Sequence, residues 1–406
     1  MGAPSRLEID LTAVSHNVRT LRSCLNGAGI CAVIKADGYG LGARRIAKRL
    51  EIEGVEMLAV SSSDLAKELA SAAIRTTILT LLPLPELARS DAVYRVASQG
   101  LLHQTVHDLA TYKEVAHAAD GLGIVLPIHL EIDSGMSRGG CDPEQAIEIL
   151  GLASAHRRLR VAGVFTHLAS ADCDAEFTAK QDARFESFLE RAGSLIPSDA
   201  FIHEANTFAT FRRRSYHRRM VRVGLALLGF ANEEFADSGA FELASVAREL
   251  RPVVRWESSI VQAKRITSGS LVGYGGTWRA PRETTIGVIP VGYADGYPLA
   301  LSNNARVGVH VEGPSGEKLI AFVPVVGRVS MDQITIDITD LPTSVMRGTR
   351  VELVSRDPTA PNHLATLAKQ AGTITHELLC RLSPRIPRSY VAMEEARESV
   401  AKSLVI

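Results

Sequence analysis

The sequence predicts an α/β protein, a (β/α)8 TIM-like barrel followed by a mostly antiparallel β domain. Three observations predict it. Between about residues 13 and 230, short apolar β-rich runs alternate with segments of helical period, as stacked βα units require. Beyond about residue 250 the texture changes to strand-like runs broken by turns. The chain's 406 residues exceed one ordinary domain and suffice to bury a large core. The expected division is a barrel over 13–245, a β domain over 246–392 that residues 1–12 join, and a peripheral helical tail over 393–406.

The candidate barrel strands are Cys31–Lys35, Met57–Val60, Thr76–Leu81, Arg95–Ser98, Pro127–Asp133, Val161–Thr166, Phe201–Glu204 and Arg222–Leu225. Eight such runs suggest closure, although a doubly wound open sheet gives the same alternation. Between the second and third, Leu65, Leu69 and Ala72 share one helical face behind Ser62–Ser63–Asp64, which supplies N-cap chemistry. The later strands are expected at Val253–Arg265, Thr285–Pro290, Arg306–Val311, Leu319–Val326 and Gln333–Ile338. Helices are expected at His363–Ala371 and Met393–Ser403.

Lysine plus arginine equals aspartate plus glutamate at 45 each, so no global field draws the chain to nucleic acid or an anionic membrane. A small neutral or zwitterionic partner fits better. The cysteines Cys24, Cys31, Cys141, Cys173 and Cys380 show no paired metal-ligand spacing and read as free thiols of a reducing compartment. Met1 to Asp10 holds no apolar signal core, and no run of about 18 apolar residues follows, so the expected location is cytoplasmic.

The run Ala32–Val33–Ile34–Lys35–Ala36–Asp37–Gly38–Tyr39–Gly40–Leu41–Gly42 sets a lysine at the end of an apolar strand, before a glycine-rich turn. In barrels that end is the catalytic rim. A lysine there can be desolvated until its amine attacks an aldehyde. Gly38, Gly40 and Ala43 also imitate a dinucleotide fingerprint, with Glu53 at a plausible distance for a ribose, but that reading of an oxidoreductase leaves Lys35 and Tyr39 without roles.

Lys35–Ala36–Asp37–Gly38–Tyr39–Gly40 resembles the cofactor-lysine motif of alanine racemases. The resemblance implies that Lys35 holds pyridoxal 5'-phosphate and that Tyr39 reaches its phosphate. His129 to Gly139 resembles the stretch whose arginine, here Arg138, bonds the cofactor's phenolic oxygen; an arginine stays charged and offers a fixed fork. Many members carry a carbamylated lysine seven residues earlier, where this chain has Glu131, expected to brace Arg138 without bound carbon dioxide. Gly163 to Asp172 resembles the stretch whose histidine, here His167, lies at the pyridine ring. Ala205–Asn206–Thr207 and Val221–Arg222–Val223–Gly224–Leu225 follow the last two strands, where barrels bind phosphate. By resemblance Asn206, Thr207, Gly224 and Leu225 belong to the cofactor site, and Arg222 faces the ring nitrogen. An arginine keeps its proton, so that nitrogen stays unprotonated, which favours racemisation over transamination.

Val291–Gly292–Tyr293–Ala294–Asp295–Gly296–Tyr297 resembles the motif whose tyrosine is the second catalytic base, opposite the lysine. Gly327 to Gln333 resembles the signature whose methionine, Met331, lies near the substrate carboxylate together with Arg138. In the family both reach the lysine site of another subunit, which implies a homodimer. Thr373 to Glu377 resembles a stretch with a tyrosine at position 376, where this chain has His376, still able to bond the phosphate but reshaping the pocket. The implied activity is interconversion of L- and D-alanine, with a serine or broad-specificity racemase as alternative. A barrel decarboxylase or aldolase fits less well, since Arg222 stands where decarboxylases place a glutamate. A bare cofactor carrier would leave Tyr293 and Met331 unused.

Two clusters invite other readings. Arg212, Arg213, Arg214, Arg218, Arg219 and Arg222 crowd eleven residues but interleave only Tyr216, so they read as a solvated basic helix rather than an RNA surface. His103 and His107, four apart, could face a metal from one helical turn but lack an adjacent acid, and read as a surface helix.

Overall fold

The computed structural model describes residues 5–82, 87–231, 241–313, 315–342 and 345–391; the expected tail helix over Met393–Ser403 lies outside them. The chain divides into two compact units. One holds Val14–Gly38 and Gly42–Leu250; the other holds the residues up to Ala13, Tyr39–Leu41 and those from Arg251 on.

The chain enters through β1 (Arg6–Asp10) and the helix Leu11–Cys24. The barrel strands are β2 (Gly29–Val33), β3 (Met57–Val60), β4 (Thr77–Thr80), β5 (Leu102–Val106), β6 (Leu126–Glu131), β7 (Leu159–Phe165), β8 (Phe201–His203) and β9 (Met220–Val223). All pair in parallel in the order β8-β7-β6-β5-β4-β3-β2-β9. The seam between β8 and β9 is bridged by Arg219 N–H to Ile202 O at 3.1 Å and Arg222 N–H to Ala205 O at 2.8 Å, so the barrel is nearly closed. Strands β3, β5, β6 and β9 are buried at every residue, as parallel strands covered on both faces must be. Cys31, Met57, Ala59, Leu79 and Met220 pack into one interior cluster, and each large apolar side chain contributes about 1.5–3 kcal/mol. Ser62 caps its helix as expected, accepting from Leu65 N–H at 3.3 Å.

Two expectations fail here. Arg95–Ser98 is not a strand but the end of the helix Ala92–Ser98, which starts at the extended residue Asp91 and is terminated by Gly100 at φ +72°. A short Val- and Ala-containing run is ambiguous by period alone, and the strand is the next run, Leu102–Val106. His103 therefore lies inside β5 and His107 just beyond it, not on a surface helix, and no metal-binding cluster occurs among the described residues.

In the second unit the strands after β1 are β10 (Val254–Ser259), β11 (Gln262–Ile266), β12 (Leu271–Val272), β13 (Trp278–Arg279), β14 (Thr284–Ile289), β15 (Arg306–Glu312), β16 (Lys318–Pro324), β17 (Ile334–Asp337), β18 (Arg350–Val354) and β19 (Arg388–Val391). They form a six-stranded sheet β16-β15-β18-β10-β1-β19, a three-stranded sheet β11-β14-β17 and the hairpin β12-β13. Every pairing is antiparallel except β1 with β19. The single run expected at Val253–Arg265 breaks between Ser259 and Gln262, and its halves join different sheets. Glu257 of β10 ties β1 and β18 together through Arg6 at 2.8 Å and Arg350. Helices at Leu364–Gln370 and Thr375–Arg381 follow β18. No helix among the described residues is long and apolar enough to cross a membrane.

Candidate active site

Within the barrel unit, the residues singled out from sequence follow the C-terminal ends of five strands. Lys35 follows β2, Arg138 follows β6, His167 follows β7, Asn206 and Thr207 follow β8, and Gly224 and Leu225 follow β9. Arg222 lies within β9 itself. This is the rim on which barrels assemble chemistry.

Lys35 is exposed and begins an unusual segment. Ala36, Asp37, Gly38 and Tyr39 have φ of 52°, 54°, 62° and 59°, one turn of left-handed helix rather than the ordinary helix start the glycines suggested. Each non-glycine residue there costs about 1–2 kcal/mol. The turn is held by Gly38 N–H to Ile34 O and Gly42 N–H to Asp37 O, both 2.9 Å, and by Ala43 N–H to Asp37 Oδ1 at 2.7 Å. Gly38 is required twice, by its φ and because a Cβ would come within 3.0 Å of Ile46 Cδ1.

Arg222 is buried, and its terminal nitrogens are spent on protein. Nη1 donates to His203 O and to His203 Nδ1, both at 3.0 Å; Nη2 donates to Thr166 O at 2.7 Å and meets His167 Nδ1 at 3.3 Å. Nε–H is left as the donor for a ligand. His167 is pushed down to about 3, first by burial and then by the positive charges of Arg222, Arg138 and Lys35, so its ring is neutral among three cations.

Glu131 does not hold Arg138 by its guanidinium. Its Oε2 lies 2.7 Å from His107 Nδ1, because β5 ends beside β6 and brings an imidazole to the carboxylate first. A Cβ on Gly139 would lie 3.2 Å from that Oε2, so the His107–Glu131 pair backs the backbone of the turn carrying Arg138. Asp133 Oδ1 fixes the same turn, accepting from Gly135 N–H at 2.9 Å and Ser137 N–H at 3.0 Å.

Asn206 caps the helix Thr207–Arg212, with Oδ1 accepting from Ala209 N–H at 3.1 Å and Nδ2 donating to Leu168 O at 2.9 Å. Thr207 Oγ1 meets Gly224 N–H at 3.4 Å and Ala226 N–H at 3.3 Å. Two helical N-termini, one at Thr207 and one at Leu225, thus converge around a hydroxyl, which suits an anion.

The arginine cluster is not a solvated helix. Its helix ends at Arg212, whose buried guanidinium donates to Ala171 O at 2.6 Å. Arg218 is held by Asp182, Glu186 and Glu204, and Arg222 belongs to β9. Alternating sign in distant carboxylates, invisible in the local run, consumes the charge.

In the second unit Tyr39 is buried, its ring centroid 5.9 Å from that of His376, and burial pushes its phenol up. Gly40 at φ +77° leaves room for Leu379 O, which would stand 2.9 Å from a Cβ. The two motifs around Tyr293 and Met331 are bonded to each other, Tyr293 N–H to Ser330 O and Ala294 N–H to Met331 O, both at 3.0 Å. Asp295 locks the turn, accepting from Gly292 N–H at 2.9 Å and Arg385 Nε at 2.7 Å. A Cβ on Gly292 would lie 2.2 Å from Ser330 O, so that glycine allows the close approach. Tyr293 is nonetheless 46% exposed and Met331 54% exposed. In the barrel unit His129 of β6 and His203 of β8 are buried polar residues that went without a role in the sequence.

Comparison with known proteins identifies the family. The profile for the alanine racemase N-terminal domain matches residues 9–232, and that for the C-terminal domain matches 253–390. The alanine racemase of Laribacter hongkongensis is 35% identical over 391 residues, covering 96% of this chain and 99% of its own. That of Staphylococcus saprophyticus is 33% identical over 390 residues, covering 95% and 94%. The crystal structure of alanine racemase from D-cycloserine producing Streptomyces lavendulae superposes with a TM-score of 0.85 at 28% identity, covering 98% of this chain and 99% of that one. The Bartonella henselae alanine racemase, solved with covalently bound pyridoxal phosphate, superposes at 0.79 and 28% identity, covering 96% and 100%. With both domain profiles matched and full-length relatives above 30% identity, the chain belongs to the alanine racemase family.

Proposed function

We propose that the chain interconverts L- and D-alanine as a cytosolic homodimer, with Lys35 serving one face of the substrate's α-carbon and Tyr293 of the second copy serving the other. The observation that carries this reading is Tyr293 itself. Its backbone is locked by Asp295 and Ser330, yet its phenol, with Met331 beside it, stays half exposed in the single chain. A fixed aromatic presented to solvent next to a substrate-site methionine suits a surface completed by another copy.

Pyridoxal 5'-phosphate is the family's cofactor, and the residues present fit it. Lys35 is exposed at the barrel rim, Arg222 keeps Nε–H unspent, and the amides near Thr207 and Leu225 face one hydroxyl. When bound, it supplies an electron-withdrawing ring that makes the α-proton removable. Lys35 Nζ takes or returns that proton on one face. Tyr293 Oη performs the opposite transfer on the other face. Arg138 holds the phenolic oxygen and the substrate carboxylate, the latter with the main chain of Met331. Arg222 Nε–H would donate to the ring nitrogen without releasing its proton, and neutral His167 lies against the same guanidinium. Asn206, Thr207, Gly224 and Leu225 would hold the phosphate end, a role the family resemblance extends to Tyr39 and His376.

His376 favours a second reading, a racemase of serine or several small amino acids, because an imidazole replaces the family's phenol beside Tyr39. Purified protein incubated with a panel of single L-amino acids and read by chiral chromatography tests both. Racemisation of alanine ahead of serine supports the first reading, serine or several residues at equal rates the second. No racemisation by protein whose visible absorbance is bleached by borohydride would overturn both.

A further inference from the structure

Behind Arg222 the barrel interior holds a line of three imidazoles. His203 Nδ1 lies 3.0 Å from Arg222 Nη1, His203 Nε2 lies 2.9 Å from His129 Nδ1, and His129 Nε2 lies 2.9 Å from His103 Nδ1. His103 is the last ring of the line. All three rings are buried. Their places are fixed: Phe165 stacks on His203 with centroids 4.8 Å apart, and the His129 ring fills the position of a Cβ at Gly163, which would lie 2.3 Å from Nδ1.

The Arg222 end dictates where the protons sit. Arginine only donates, so His203 Nδ1 must accept. His203 then donates from Nε2 to His129 Nδ1, and His129 from Nε2 to His103 Nδ1. One arrangement satisfies every contact, each ring neutral with its hydrogen on Nε2. An added proton would set two N–H groups face to face. The charged groups around the line oppose such a proton too. Burial first, then Arg160 at His103, Arg160 and Arg222 at His129, and Arg222 at His203, hold the three imidazoles below their ordinary range, His103 at about 4.

We propose that His103, acting through His129 and His203, is a positioning residue for Arg222: its Nδ1 is the acceptor that completes the line of tautomers in which His203 accepts from the guanidinium. The functional consequence rests on the reading that Arg222 serves the cofactor ring. Without an acceptor at position 103, His129 and His203 can both reverse their tautomers, and His203 then turns an N–H toward Arg222.

Nitrogen-15 spectra of the histidine rings in the purified protein test the line itself. Three neutral rings protonated at Nε2, unchanged between pH 6 and 8, are expected; an imidazolium or an Nδ1–H form at any of the three overturns it. His103→Phe is expected to reverse the His129 tautomer and to lower kcat roughly ten-fold with KM within two-fold, the scale seen when the partner orienting an active-site residue is lost. His103→Gln, whose amide oxygen can accept, is expected to restore most of kcat and the original tautomers. A Phe variant with unchanged tautomers refutes the line, and one with reversed tautomers but unchanged kcat refutes the positioning role. Absence of racemisation in the unmodified protein would instead count against the functional reading alone.

Discussion

Nδ1 of His107 stands 2.7 Å from Oε2 of Glu131, and Nε2 of the same ring is hydrogen-bonded to the carbonyl of Leu81 at 2.9 Å. A carboxylate at one ring nitrogen and a carbonyl at the other favour the charged form of the ring. Burial would push it down, but the hydrogen bond and charge of Glu131 outweigh burial and raise it above its ordinary value. A group raised on folding stabilises fully below its unfolded value, about 6.5, and loses that contribution as pH climbs through the folded value. Glu131→Gln should therefore destabilise the fold by about 1.5–3 kcal/mol near pH 6 and by less at higher pH. Denaturant unfolding at the two pH values checks this, and an equal loss at both would refute the imidazolium.

The left-handed turn after Lys35 stores strain that one substitution can release. Ala36 is exposed at φ 52°. Glycine relieves about 1–2 kcal/mol there and costs about 0.5–1 kcal/mol in unfolded-chain entropy. Ala36→Gly should thus stabilise the fold by up to about 1.5 kcal/mol, yet lower kcat because the lysine is less firmly aimed. Unfolding midpoints and initial rates measure both. A destabilised variant would show that the turn is not strained.

Thr207 joins two helix N-termini through one hydroxyl, accepting from Gly224 and Ala226 N–H. Thr207→Val keeps the shape and removes the acceptor, leaving buried donors to water. Loss of a hydrogen bond worth about 0.5–1.5 kcal/mol should weaken pyridoxal phosphate binding by roughly two- to ten-fold. Spectrophotometric titration of resolved protein gives the constant. Binding as tight as in the original would place the phosphate elsewhere.

Strand order in the barrel was legible because parallel strands buried on both faces are near-continuous apolar runs, as Met57–Val60 is. Arg95–Ser98 misled because four residues with two apolar ones cannot declare a period, and only the glycine at 100 marks the helix end. The places of Lys35 and Arg138 just after barrel strands were legible through the motifs around them. The partner of Glu131 was not, since His107 reaches it only through the pairing of β5 with β6. Arg212 and Arg218 misled for the same reason, with their acceptors 14 to 41 residues away on other elements. What a residue is could be read from its neighbours in the chain, whereas what balances it is decided by which strands lie side by side.

Tyr293 offers the sharpest division between two bases and one. Its turn is held by Gly292, Asp295 and Ser330 through backbone and carboxylate bonds, none of which uses the phenol. Tyr293→Phe should therefore fold as the original does. Loss of one general acid–base group costs about 10²–10⁴-fold, so racemisation in both directions should fall by that factor, because each direction needs both faces. Exchange of the α-hydrogen in deuterium oxide separates the faces. The enantiomer deprotonated by Lys35 should still exchange with retention of configuration, while exchange of the other enantiomer falls with racemisation. Equal exchange of both enantiomers in the variant would mean that one swinging base serves both faces, and the two-base arrangement would fall.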